Sequence, residues 1–137
     1  MAKQKNTWVY SHPRQLKPKA PSTLKAEVQI QANQLVESDL KPKHVKPPVG
    51  NEQFNYLVDI YTKWHGNYFY FCAKYCSPGP YAISPFFETR FARLAYIGDS
   101  RFGLSYMRHT GQWWEIYPDL SLEESLSAVR DEPHFLP

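Results

Sequence analysis

Apolar residues along the chain change their spacing twice, and each change marks a change of element. Leu24, Val28, Ala32, Leu35, Val36 and Leu40 fall three or four apart and form one stripe of a helix. Pro21 precedes that run, and Ser22 or Thr23 is placed to cap it. Pro42 is expected to end the helix, and the Lys41–Pro48 stretch is expected to run extended, because proline restricts itself and the residue before it.

From Phe54 the period becomes two. Phe54, Tyr56, Val58, Ile60, Thr62 and Trp64 alternate with Asn55, Leu57, Asp59, Tyr61 and Lys63. His65-Gly66-Asn67 reads as a turn into a second strand, Tyr68–Tyr75. Residues 77–85 form a Pro/Gly loop. A third strand spans Phe87–Ile97, a fourth Phe102–His109 after Gly98-Asp99-Ser100, and a fifth Trp113–Tyr117 after Thr110-Gly111-Gln112. The helical period returns after Pro118. Ser121-Leu-Glu-Glu124 is a capping box, Leu122, Leu126 and Val129 mark the inner face, and Pro133 stops the helix before a docking Phe135-Leu136 pair.

The predicted fold is therefore α+β: a five-stranded antiparallel meander flanked by an N-terminal and a C-terminal helix, preceded by a basic flexible arm. The arm is residues 1–21 and the single domain residues 22–137. A partly closed barrel plugged by the helices is the other architecture this pattern allows.

Charge sharpens the picture. The net charge is +3, yet residues 1–48 hold nine cations against three carboxylates. A basic leading segment on a mildly acidic body fits a polyanion-binding tail, or simply a solvated arm that aids solubility. Trp8-Val9-Tyr10 interrupts the arm's polarity and is expected to dock on this domain or on a partner. No apolar run reaches membrane-span length and no signal-peptide pattern opens the chain, so the expected compartment is the cytoplasm, without membrane association.

The candidate chemistry is thin. Cys72 and Cys76 on one strand would lie about 13 Å apart, too far to share a metal, and they read as small hydrophobes. Neither a metal nor a cofactor is expected. His65, His109 and Glu115 offer acid–base groups at exposed positions, and Ser105, His109 and Asp59 can be drawn as a triad, but no nucleophile elbow surrounds the serine. No catalytic residue is assigned.

The richer constellation is Tyr61, Lys63, Tyr75, Arg90, Arg93, Tyr106 and Arg108, cations and aromatics on strands that alternation divides between two faces. With Lys3, Lys5, Arg14, Lys17 and Lys19 of the arm, the residues Lys63, Arg90, Arg93, Tyr106 and Arg108 are the nucleic-acid-binding candidates. Trp113 and Trp114 must point to opposite faces, one into the core. With Trp8 they are the candidates for a protein interface.

Two function classes follow. One is a non-enzymatic module binding a nucleic acid or a protein. The other is a small-molecule binder or enzyme with an aromatic-lined pocket between sheet and helices.

From about Ser22 onward the chain also resembles a family of small bacterial proteins described only as a domain of unknown function. The likeness is carried by the helix before the Pro-rich Lys41–Pro48 stretch, by Tyr106-Met-Arg-His-Thr-Gly-Gln-Trp-Trp-Glu, by Tyr117-Pro ahead of Ser121-Leu-Glu-Glu-Ser-Leu, and by the closing Asp131-Glu-Pro-His-Phe. The resemblance implies a shared fold and brings no catalytic residue with it.

Overall fold

A computed structural model describes residues 18–46, 54–79 and 84–137. The element order is α1 (Ser22–Leu35), a π-helical turn (Val36–Leu40), α2 (Lys41–His44), β1 (Tyr56–His65), β2 (Tyr68–Cys76), β3 (Phe86–Gly98), β4 (Arg101–Met107), β5 (Trp113–Ser121), α3 (Leu122–Asp131) and a 3₁₀ turn (Pro133–Phe135). The five strands form one antiparallel sheet in sequence order, β1-β2-β3-β4-β5. The fold is the expected α+β meander with a helix from each end of the domain.

The core lies between one sheet face and the helices. Val28, Ala32, Leu35, Val36 and Leu40 come from the predicted stripe, and Ile60, Phe69, Phe71, Leu94, Phe102 and Leu104 from the strands. Two side chains tie α1 to the edge strand β1. Trp64 Nε1 donates to the Lys25 carbonyl at 3.0 Å, and Thr62 Oγ1 donates to Asn33 Oδ1 at 2.6 Å. These bonds satisfy polar groups at the helix–sheet seam, where water is partly excluded.

Four expectations need correction. Neither Ser22 nor Thr23 caps α1: Pro21 occupies the N-cap position with extended backbone, and Lys25 N–H takes its carbonyl at 2.9 Å with no side-chain help. Pro42 does not end the helix, and residues 41–44 are helical rather than extended. The wide π turn immediately before the proline relaxes the clash of its ring with the carbonyls one turn back, so the helix absorbs it in the first turn of α2. In β1 a bulge at Val58 resets the alternation, so Leu57 packs toward the core while Phe54 stays exposed. Neither Trp113 nor Trp114 enters the core. β5 is an edge strand: Trp113 packs with Tyr70 and Arg93 on the face away from the helices, and Trp114 is exposed.

The C-terminal helix matches its expected start. Ser121 Oγ accepts from Glu124 N–H at 3.1 Å, while the Glu124 carboxylate accepts from Ser121 N–H at 2.8 Å. Of the expected apolar tail pair, Phe135 is buried and Leu136 is exposed.

The short segment ahead of α1 is packed onto the domain. The turn residue Asn67 donates to the Pro18 carbonyl at 2.8 Å and accepts from Ala20 N–H at 3.1 Å, and Ala20 is buried. Gly66 makes that turn possible with a φ of 60°.

Candidate functional site

The sheet face turned away from the helices carries the chemistry. Side chains alternate on a strand, so Tyr68, Tyr70, Cys72 and Lys74 of β2 share this face. Arg90 and Arg93 of β3 are three apart and would fall on opposite faces of a regular strand. A bulge at Phe91 changes that: Phe71 pairs with Ala92, and Cys72 pairs with Arg90, which leaves Phe91 as the extra residue. Phe91 and Ala92 both enter the core, and both arginines emerge on the open face.

There the arginines lie over rings. The Arg90 guanidinium carbon is 4.4 Å from the Tyr70 centroid. That of Arg93 is 4.6 Å from Tyr68 and 4.9 Å from Trp113. The Tyr70 and Trp113 rings are 5.9 Å apart although two strands lie between them. Trp113 can lean across because its path crosses Ser105, a small residue paired with Arg93. This packing leaves Tyr70 only 6% exposed, so the accessible surface of the stack is the guanidinium layer and the flanks of Tyr68 and Trp113.

Among the described residues neither arginine forms an ion pair. Arg93 Nε is buried and has no hydrogen-bond partner. A buried cationic donor without an acceptor is costly, and the rings of Tyr68 and Trp113 on either side of the guanidinium offset part of that cost.

Two cavities flank this stack. One, about 450 Å³, is bounded by Tyr61, Lys63, Cys72, Glu88, Arg90 and Met107 among others. Burial foremost, with the Glu88 carboxylate beside it, pushes the Tyr61 phenol well above its usual range. Burial likewise raises the Cys72 thiol, which keeps it protonated and a poor nucleophile at neutral pH. The other, about 480 Å³, is walled by Pro18, Tyr68, Arg93, Ala95, Ile97 and Glu115, with Asn67 and Tyr96 completing it.

The candidates from the sequence divide as follows. Lys63, Arg90 and Arg93 come together on the open face. Tyr106 and Arg108 lie on the other face, at the β5 edge. Tyr106 packs on His134 at 4.9 Å and on Phe135 at 6.4 Å, and Arg108 lies 4.9 Å from the Trp114 ring, which is 54% exposed. Tyr75 also faces the helices and stacks on Phe87. Trp113 belongs to the open face and Trp114 does not. Lys19 lies on the short segment leading into α1, whereas Lys3, Lys5, Arg14, Lys17 and Trp8 lie outside the described residues.

The acid–base candidates do not converge. His65 and His109 are exposed at separate turns. Ser105 and Asp59 stand three strand spacings apart and four residues out of register, about 19 Å on the sheet. Asp59 is taken by Lys41 at 3.2 Å. Among the described residues no group of three metal-ligating side chains forms, and no helix is long and apolar enough to cross a membrane.

Tyr68 and Tyr70 were missed as site residues. Their alternation with Phe69 and Phe71 is visible in the sequence, but the bulge that brings the arginines onto them is not.

The arrangement defines a class: a two-layer α+β domain whose sheet face, left uncovered among the described residues, presents arginines stacked on aromatic rings. The chain belongs to the family described as Domain of unknown function (DUF3024), whose model matches residues 20–137. No curated protein and no solved structure matches it.

Proposed function

We propose that the domain is a non-enzymatic binding module whose open sheet face holds single-stranded nucleic acid in the cytoplasm. The observation that carries this reading is the pair Arg90 and Arg93, free of ion pairs among the described residues and laid over Tyr70, Tyr68 and Trp113. Guanidinium planes and aromatic flanks stack unpaired bases, while their N–H groups and Lys63 hold phosphates. Pro18 walls the cavity beside Arg93, and in sequence it directly follows a segment rich in lysine and arginine.

Phe69, Phe71, Leu94 and Phe102 fill the centre of the space between sheet and helices, and the proposed ligand lies on the open face instead. The exposed Trp114 beside Arg108 favours a second reading, a protein partner at the β5 edge.

The test is a titration of fluorescent single- and double-stranded oligonucleotides between about 50 and 200 mM salt. Single strands bind more tightly than duplex, and the Arg90→Ala/Arg93→Ala double variant binds single strands at least about tenfold more weakly, as expected when base stacking is lost. Absence of binding at the lower salt overturns the reading and leaves the protein partner.

A further inference from the structure

We infer that the cavity beside Arg93 is selective for guanine within a single strand. The inference rests on the nucleic-acid reading above and names the base that site prefers.

Three features of the cavity point to one base. Tyr68 supplies a ring wall, and Ala95, Ile97 and Pro18 line it with small or apolar surface. Arg93 lines it too, and its guanidinium forms no ion pair among the described residues. Glu115 supplies two acceptors. Its carboxylate forms no ion pair within 4.0 Å among the described residues, although Arg93 lines the same cavity.

Glu115 also has a close neighbour in the sheet. It sits against Gly103, where a Cβ would stand 2.9 Å from Glu115 Oε1. The absent side chain leaves room for the carboxylate beside the strand. A carboxylate there repels a phosphodiester, so its value lies in accepting from a base edge.

The four bases differ in what they offer such a pair. Guanine presents O6 and N7 as adjacent acceptors for a guanidinium, and N1–H with its exocyclic amine as adjacent donors for a carboxylate. Cytosine and adenine give the carboxylate one exocyclic amine, and thymine and uracil give it no amine at all. Only guanine engages both Arg93 and Glu115 with two bonds each.

The experiment uses the full chain and single-stranded dT oligonucleotides carrying one central dG, dA, dC or inosine, titrated by fluorescence anisotropy. The dG strand binds about tenfold tighter than all-dT, as one well-made bidentate contact allows. Inosine, which lacks the exocyclic amine, loses most of that gain. Glu115→Gln removes the preference while leaving binding to all-dT equal or stronger, because a negative charge is lost. Gly103→Ala, which displaces the carboxylate without changing charge, also reduces the preference.

Equal affinity for all central bases, or a dG preference that survives Glu115→Gln, overturns the inference and leaves the single-strand reading standing. Absence of binding to every strand overturns both. Displacement of the strand by GMP at concentrations matching the oligonucleotide moves the guanine site to free nucleotides and overturns the strand.

Discussion

The reciprocal bonds of Ser121 and Glu124 start α3, and the cap has a measurable share in stability. Ser121→Ala is expected to cost about 1 kcal/mol, read as a lower denaturation midpoint at unchanged slope. Glu124 adds a pH signature. The Ser121 backbone N–H, then its hydroxyl, hold the Glu124 carboxyl below the usual range. A group whose folded pKa is depressed stabilises the fold in full above its unfolded value, near about pH 4.3, and the contribution fades as pH falls through the folded value. Glu124→Gln is therefore expected to lower the midpoint at pH 7 and to match the wild type in strong acid. A constant gap across that range would assign the effect to packing instead.

The β3–β4 turn gives the opposite sign. Asp99 and Ser100 both have positive φ, 52° and 59°. Aspartate tolerates that region and serine does so less well. Ser100→Gly relieves the strain and is expected to raise stability by up to about 1 kcal/mol, measured by chemical denaturation.

At the scale of elements, most of the fold was legible because each element announced itself by period and punctuation. The α1 stripe, the Gly66-Asn67 turn and the α3 capping box are local codes. What was not legible is every place where the chain adds a residue to a regular ladder. Nothing in Thr89-Arg-Phe-Ala-Arg93 distinguishes a bulged strand from a regular one, since Phe91 and Ala92 suit either face. The decision is made by the partner strand, where Phe71 needs core neighbours and Tyr70 needs cover. The same blindness hid the Val58 bulge and the π turn ahead of Pro42. Half of the candidate site was therefore visible as residue types, and its convergence was not. The helix–sheet seam offers a direct check. Trp64→Phe keeps the ring but removes the donor to Lys25, and the expected cost is about 1 kcal/mol in equilibrium unfolding.

For the whole molecule, charge is expected to set affinity and the open face to set preference. Removing residues 1–17 spares Pro18 and Ala20, which pack through Asn67. It is expected to weaken binding to every strand alike and to flatten the salt dependence by about 0.7 per lost phosphate contact. A truncated chain with an undiminished salt slope would place the electrostatic contacts on the sheet alone.

The meander also dictates an order of assembly. Each strand pairs with the one made just before it, so the sheet can zip as it is synthesised, without waiting for distant chain. The layer that covers it cannot. α1 is made before the sheet and α3 after it, and the two touch only once both are docked. Until α3 and Phe135 emerge, Phe102 and Leu104 lack part of their cover, on a sheet whose β5 edge is open. That interval is the vulnerable moment in the life of the polypeptide, when one growing chain can stick to another. Pro118 sits in β5, where it removes a ladder donor from the strand made last. With one donor fewer, that strand offers less for another growing chain to pair with.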